Sequence, residues 1–259
     1  MIEYRHPTKI IYIKERNLAM LKNDLILRNP LKILADEKDY ILPSGGCGAV
    51  IARAGVGKTA FLVQLALHAL LSEKNVLHIS LKDAVDKVTL WYLEVFRLIA
   101  DQYEIKQTDP LWDSILPHRF IMTFKVEGFS APKLEERLTD LTEQDIFQPD
   151  ILIIDGLPFD TTFYRTISDM RNLTEKHSLR SWFTVRTHRD DPIASNGIPS
   201  RHQDIRDLFN AVLQLQPEGK EIHIKALKGG KMVPGHSGLI LDPATMLIKN
   251  RGSISATAV

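Results

Sequence analysis

Residues 52–59 read Ala-Arg-Ala-Gly-Val-Gly-Lys-Thr, a glycine-rich turn that ends in a lysine and a threonine. The phosphate-binding loop pattern is Gly, four residues and Gly-Lys-Ser/Thr, and this stretch departs from it only at Ala52. The glycines allow backbone N–H groups to turn towards one anion, and the helix that begins near Lys58 points the positive end of its dipole at that anion. Lys58 is placed to reach the β- and γ-phosphates of a nucleotide, and the Thr59 hydroxyl is a ligand for Mg²⁺. The predicted phosphate cradle comprises Ala52, Arg53, Ala54, Gly55, Val56, Gly57, Lys58, Thr59 and Ala60.

The sequence on both sides of this loop has the context that the pattern requires. Residues 49–52 are apolar and predict a buried strand, and residues 58–72 predict an amphipathic helix. A second apolar strand, residues 151–154, is followed at once by Asp155. Because ligands of open α/β sheets bind at the carboxyl ends of the strands, Asp155 is predicted to hold Mg²⁺ directly or through water.

Strand-like and helix-like segments alternate along the middle of the chain. Further strands are predicted at residues 76–81, 120–124 and 182–187, and further helices at 85–103, 131–141 and 163–177, with a helical turn at 205–209. This alternation predicts an α/β fold with a mostly parallel sheet and helices on both faces. Residues 211–247 contain several strand-like runs separated by glycine and proline, which predicts antiparallel strands at one edge.

The two ends of the chain differ from this central pattern. Residues 10–13 form a short β-like run, and residues 17–28 have helical spacing that stops at Asn29-Pro30. We therefore interpret residues 1–42 as an N-terminal arm or helix packed on a main domain of residues 43–250. Residues 251–259 are small or polar and are interpreted as a flexible tail.

Composition limits the possible environment and partners. With 44% hydrophobic and 25% charged residues, the chain has the balance of an ordinary soluble domain. A formal net charge of +1 gives no overall reason to expect a nucleic-acid partner. The single cysteine, Cys47, excludes an intrachain disulfide, and neither a signal segment nor a bilayer-spanning apolar run is visible. A cytoplasmic protein without membrane contact is expected.

The turn Pro43-x-x-Gly46, the segment 49–59 and the strand 151–155 together resemble the RecA/KaiC-like ATPases, the additional-strand group of P-loop proteins that includes the hexameric replicative helicases. The resemblance spans residues 40–245 and implies a RecA-like core. In such a core an extra strand lies between the strand that precedes the phosphate-binding loop and the strand that ends at Asp155. It also implies ATP and Mg²⁺ as ligands, and a homo-oligomer or protein partner. ATP is favoured over GTP by the family and by the lack of a guanine-reading NKxD element. A nucleic-acid partner is implied by family analogy only.

One position departs from the family pattern. Such ATPases place a catalytic glutamate just after the strand that follows the P-loop helix, and here that position holds Lys82. A protonated lysine cannot act as a base towards water, so Asp83, one residue further on, is the candidate substitute. Lys82 itself is either a solvated residue at the strand end or a cation facing the γ-phosphate.

The resemblance also implies residues that sense or complete the nucleotide site. Thr187 or His188, at the end of the strand after Asp155, is a candidate γ-phosphate sensor, with a capping or loop role as the alternative. Lys228, and second to it Lys231, is a candidate cation for a neighbouring copy's nucleotide, with a basic hairpin turn as the plain alternative. An arginine-rich loop is interpreted as an arginine finger, a lid, a partner contact or a solvated loop; its arginines are Arg186, Arg189, Arg201 and Arg206.

Several functions stay open from the sequence. The first is an ATPase that works as an ATP-dependent switch or motor on a macromolecule, with Lys58, Asp83 and Lys228 as the catalytic candidates. The second is a P-loop phosphotransferase for a small molecule, in which a substrate hydroxyl replaces water and Asp83 is the base. The third is an ATP-sensing module without turnover.

Overall fold

The computed structural model describes residues 7–35, 41–158, 163–187, 205–229 and 238–251. The strands are β1 (Cys47–Ala52), β2 (Val76–Ser80), β3 (Arg119–Thr123), β4 (Ile151–Asp155), β5 (Arg180–Arg186), β6 (Ala211–Glu218), β7 (Glu221–Lys228), β8 (Leu239–Leu241) and β9 (Ile248–Asn250). The helices are α1 (Pro7–Arg28), α2 (Lys58–Leu71), α3 (Val85–Gln102), α4 (Thr108–Ile115), α5 (Ala131–Glu143), α6 (Phe163–Lys176) and α7 (Ile205–Leu208).

Within the described ranges the strands form one sheet in the order β3-β2-β4-β5-β1-β6-β7-β8-β9. The pairs from β3 to β6 are parallel, and those from β6 to β9 are antiparallel. The predicted parallel sheet and its antiparallel edge are therefore confirmed, and β5 lies between β1 and β4. Because β1, β2, β4 and β5 are parallel, their carboxyl ends meet at one edge of the sheet.

Alternating side chains of the strands enter two apolar layers, one on each face of the sheet. On one face, Val50, Ile153 and Trp182 pack in the layer that contains α2 and α3. On the other face, Ile154 and Phe183 pack in the layer that contains α5 and α6. Burying one such large apolar side chain contributes about 1.5–3 kcal/mol. The expected helices on both faces are confirmed.

The N-terminal segment corrects one prediction. Residues 10–13 are not a strand, because α1 runs without a break from Pro7 to Arg28. Four β-favouring residues do not decide the structure when helical spacing continues after them. The helix ends at Arg28, and the side chain of the next residue, Asn29, accepts a hydrogen bond of 2.9 Å from the Leu31 N–H and caps a 3₁₀ turn, Pro30–Leu34. Leu25, Leu31 and Leu34 are buried in the same layer as α2.

The sequence analysis predicts no element where the helix α4 lies. Its eight residues are too few to show a clear helical period.

Within the residues that the structure describes, none of the helices combines the length and the apolar character needed to cross a bilayer.

A buried histidine in β2 makes the stability of the fold depend on pH. The His78 side chain is fully buried, and its Nδ1 lies 3.0 Å from the Tyr92 hydroxyl of α3. Burial lowers the pKa of His78 from 6.5 to about 4, with the Asp155 carboxylate opposing this shift and the Arg119 guanidinium adding to it. His78 is therefore neutral in the folded protein at pH 7 and protonated only with difficulty.

We expect the free energy of unfolding to fall as pH falls from 6.5 to about 4. In this window the unfolded chain binds a proton at His78 and the folded chain does not, which costs at most about 3 kcal/mol. Chemical denaturation of the wild type and of the double variant His78→Leu/Tyr92→Phe, at pH 7.5 and pH 4.5, measures the effect. The double variant removes both members of the buried pair, so its loss on acidification should be smaller. Equal losses in the two proteins would assign the pH dependence to other groups.

Candidate functional site

The glycine-rich loop leads from the carboxyl end of β1 into the first turn of α2. Gly55 and Gly57 have φ angles of +78° and +106°, in the left-handed region that glycine adopts without strain. A Cβ on Gly57 would lie only 2.5 Å from Leu241 Cδ2, so this glycine also permits close packing against β8. Left-handed glycines beside a helix N-terminus form the backbone arrangement that surrounds an anion.

Lys58 folds back over this loop. Its Nζ donates hydrogen bonds of 2.9 Å to the Ala52 carbonyl and 2.8 Å to the Arg53 carbonyl. Burial lowers the pKa of Lys58 from 10.5 to about 8; the Asp155 carboxylate opposes this shift, and the cations of Arg186 and Lys82 add to it. An anion that enters the loop therefore competes with the two carbonyls for the Lys58 ammonium. Its negative charge would stabilise the protonated form of Lys58, which burial and the two neighbouring cations disfavour.

Thr59 and Asp155, predicted as metal ligands from distant parts of the chain, lie in direct contact. The Thr59 hydroxyl donates to Asp155 Oδ2 over 2.7 Å. Thr184 of β5 donates to Asp155 Oδ1 over 2.7 Å, and the Gly156 N–H donates to the Thr184 hydroxyl over 2.9 Å. These contacts fix the orientation of the carboxylate. A hydroxyl beside a carboxylate is the hard oxygen donor set that suits Mg²⁺.

Thr184 is a site residue that the sequence analysis missed. The available signal was the alternation of side chains along a strand, which places Thr184 and Arg186 on the same face as Trp182, towards α2. Thr187 lies beyond this strand. Its side chain is buried and does not line the cleft, and its N–H donates to the Ala52 carbonyl over 3.1 Å. At this end of β5, both Thr184 and Arg186 line the cleft.

Lys82 and Asp83 follow β2 and line the same cleft. The Ser80 hydroxyl accepts a hydrogen bond of 2.9 Å from the Asp83 N–H, which fixes the backbone before α3. The Asp83 carboxylate lies 2.6 Å from Lys87 Nζ, one helical turn later. The candidate substitute base is thus held in an ion pair, and its catalytic role stays a prediction.

The cleft as a whole carries an excess of positive charge. Its volume is about 590 Å³, within the range of small-molecule sites. Among the described residues, the charged side chains that line it are Lys58, Lys82, Lys87, Arg186, Asp83 and Asp155. Lys87 pairs with Asp83, and the other charged groups that line the cleft are three cations and the Asp155 carboxylate. Such a cleft attracts ligands with several negative charges.

Lys228 does not belong to this cleft. It lies at the end of β7 and pairs with Val212, beside the amino-terminal half of β1, so it is at the edge of the sheet opposite the phosphate loop. Its predicted role towards the nucleotide of a neighbouring copy stays a prediction. His188, Arg189, Arg201 and Lys231 lie outside the described residues, as does the side chain of Arg206.

The cleft therefore combines a loop of left-handed glycines at a helix N-terminus, a pair of hard oxygen donors and an excess of cations. The chain matches no protein-family model and no curated protein. These three chemical features carry the functional assignment. Together they suit an anion with several negative charges that binds with a divalent cation.

Proposed function

We propose that this chain is a RecA/KaiC-like P-loop protein that binds ATP with Mg²⁺, hydrolyses it slowly and acts as an ATP-dependent switch on a macromolecular partner. The contact between Thr59 and Asp155 carries this proposal. The two residues are 96 positions apart, yet the Thr59 hydroxyl and Asp155 Oδ2 lie 2.7 Å from each other beside the phosphate loop. A P-loop hydroxyl and an acid at the end of a second strand are the protein ligands that Mg²⁺ needs beside a nucleotide.

The phosphate loop supplies the binding energy for the phosphates. The backbone of residues 53–59 surrounds them, and Lys58 exchanges the carbonyls of Ala52 and Arg53 for phosphate oxygens. Thr59 and Asp155 hold Mg²⁺, and Thr184 keeps the Asp155 carboxylate oriented. Bound Mg²⁺ neutralises phosphate charge and favours transfer of the γ-phosphoryl group.

The strand order supports a RecA-like core. The phosphate loop follows β1, Asp155 ends β4, and β5 lies between these two strands. A strand in this position is what the resemblance implies. The same resemblance favours ATP, and Trp91 and Met246, which line the cleft, offer an apolar surface for a purine base.

Hydrolysis is expected to be slow because of the two residues, Lys82 and Asp83, that follow β2. Lys82 occupies the position of the catalytic glutamate, and Asp83 is 2.6 Å from the ammonium of Lys87. Neither side chain is suited to take a proton from the attacking water. The bound triphosphate therefore persists long enough to signal its presence to a partner.

Calorimetric titration with Mg-ATP, together with phosphate release at low and high protein concentration, tests the proposal. We expect one ATP per chain, weaker binding when EDTA removes Mg²⁺, and release slower than about 1 s⁻¹, below the usual range of enzymes. A rate that rises with protein concentration would indicate that a neighbouring copy contributes to the site. Absence of binding at millimolar Mg-ATP would contradict the proposal.

A further inference from the structure

We propose that Lys82 and Arg186 form a cation pair that makes the cleft select a nucleoside triphosphate over a diphosphate, an inference that rests on the proposed nucleotide binding. At the position where related ATPases have a glutamate that activates water, Lys82 would instead bind the terminal phosphate together with Arg186. The protein would then switch to its nucleotide-bound state with a triphosphate and not with a diphosphate.

The position of Lys82 is fixed by its neighbours in the sheet. Ser80 pairs with Asp155, and the Leu81 N–H donates to the Asp155 carbonyl over 2.9 Å. A Cβ added to Gly156 would lie 3.2 Å from the Lys82 Cβ, so the backbone after Asp155 packs closely against this lysine. The side chain of Lys82 lines the cleft on this side of Asp155.

Arg186 lies on the other side of the same carboxylate. It ends β5, opposite Ala52 of β1, and also lines the cleft. In the sheet, β4 lies between β2 and β5, so the two cations flank Asp155 from both neighbouring strands. Both act on Lys58, since each of their charges lowers the pKa of its ammonium.

The charges of the cleft match a triphosphate better than a diphosphate. Lys58, Lys82 and Arg186 line the same cleft as Asp155, while Lys87 is already paired with Asp83. The terminal phosphate adds negative charge on the side where Lys82 and Arg186 lie. A diphosphate lacks this group, so it gains less attraction from the two cations and binds less tightly.

Calorimetric titration of the full chain with Mg-ADP and with the Mg complex of a non-hydrolysable ATP analogue tests the selectivity. We expect the wild type to bind the triphosphate at least about tenfold more tightly than the diphosphate. Lys82→Met and Arg186→Met should each weaken triphosphate binding about tenfold and change diphosphate binding less than about twofold. Lys82→Arg keeps the charge and should keep most of the selectivity.

Lys106→Met is the matched control, because it removes the same charge from an exposed loop before α4 and should leave both affinities unchanged. Equal affinity of the wild type for the two nucleotides would overturn the inference and leave the proposed function standing. An equal loss of affinity for the two nucleotides in Lys82→Met would also overturn the inference and leave the proposed function standing. If the wild type binds neither nucleotide, the proposed function fails and the selectivity fails with it.

Discussion

Replacing Lys58 with methionine is expected to weaken the binding of Mg-ATP by more than about a hundredfold, since two charge-assisted hydrogen bonds to phosphate are lost. Methionine keeps the length of the side chain and removes only the ammonium. The ammonium now bonds to the carbonyls of Ala52 and Arg53, so it is already directed towards the loop that would hold the phosphates. Calorimetric titration of Lys58→Met with Mg-ATP measures the loss.

Two controls make this result specific. Thermal unfolding of Lys58→Met should resemble that of the wild type, because the Ala52 carbonyl still accepts a hydrogen bond from the Thr187 N–H and Arg53 is exposed to water. Lys106→Met removes an exposed lysine elsewhere and should bind Mg-ATP normally. A well-folded Lys58→Met protein with normal affinity would show that the nucleotide does not bind in this loop.

Much of the core fold could be predicted because it depends on local patterns. The apolar strand before residue 53 and the helix after residue 57 can be predicted from short stretches of the sequence. The expected amphipathic character of this helix is wrong, because α2 is buried along most of its length. Alternation of strands and helices then requires parallel pairing, which places the carboxyl ends of β1 and β4 at one edge. This topology brings Thr59 and Asp155 to the same edge of the sheet, so their proximity could be predicted without knowledge of side-chain geometry.

The features that escaped prediction depend on tertiary register. Thr184 is a single threonine inside a strand, and its role exists only because β5 lies beside β4. The ion pair of Asp83 and Lys87 depends on where α3 begins, since a spacing of four residues makes a contact only within a helix. The β-like run at residues 10–13 was misjudged for the related reason that a short apolar run fits either structure.

Under the proposed function, the residue at position 82 is expected to determine whether hydrolysis of ATP is fast or slow. Lys82→Glu is expected to raise the rate of phosphate release about a hundredfold, in the range that a positioned general base contributes. The introduced carboxylate would stand beside Asp155 in the same cleft, without an ion-pair partner one helical turn away such as Lys87 provides for Asp83. Phosphate release under saturating Mg-ATP measures the change.

Lys82→Gln separates the two effects of this substitution, because glutamine has the same length as glutamate and removes the cation without adding a base. We expect its phosphate release to stay close to that of the wild type, while both variants bind the triphosphate less tightly. Equal acceleration in the two variants would mean that the lysine slows hydrolysis by its charge, and that water is activated by another group. Acceleration in Lys82→Glu alone would identify the end of β2 as the position where the general base acts, and Lys82 as the reason why the wild-type protein retains its triphosphate.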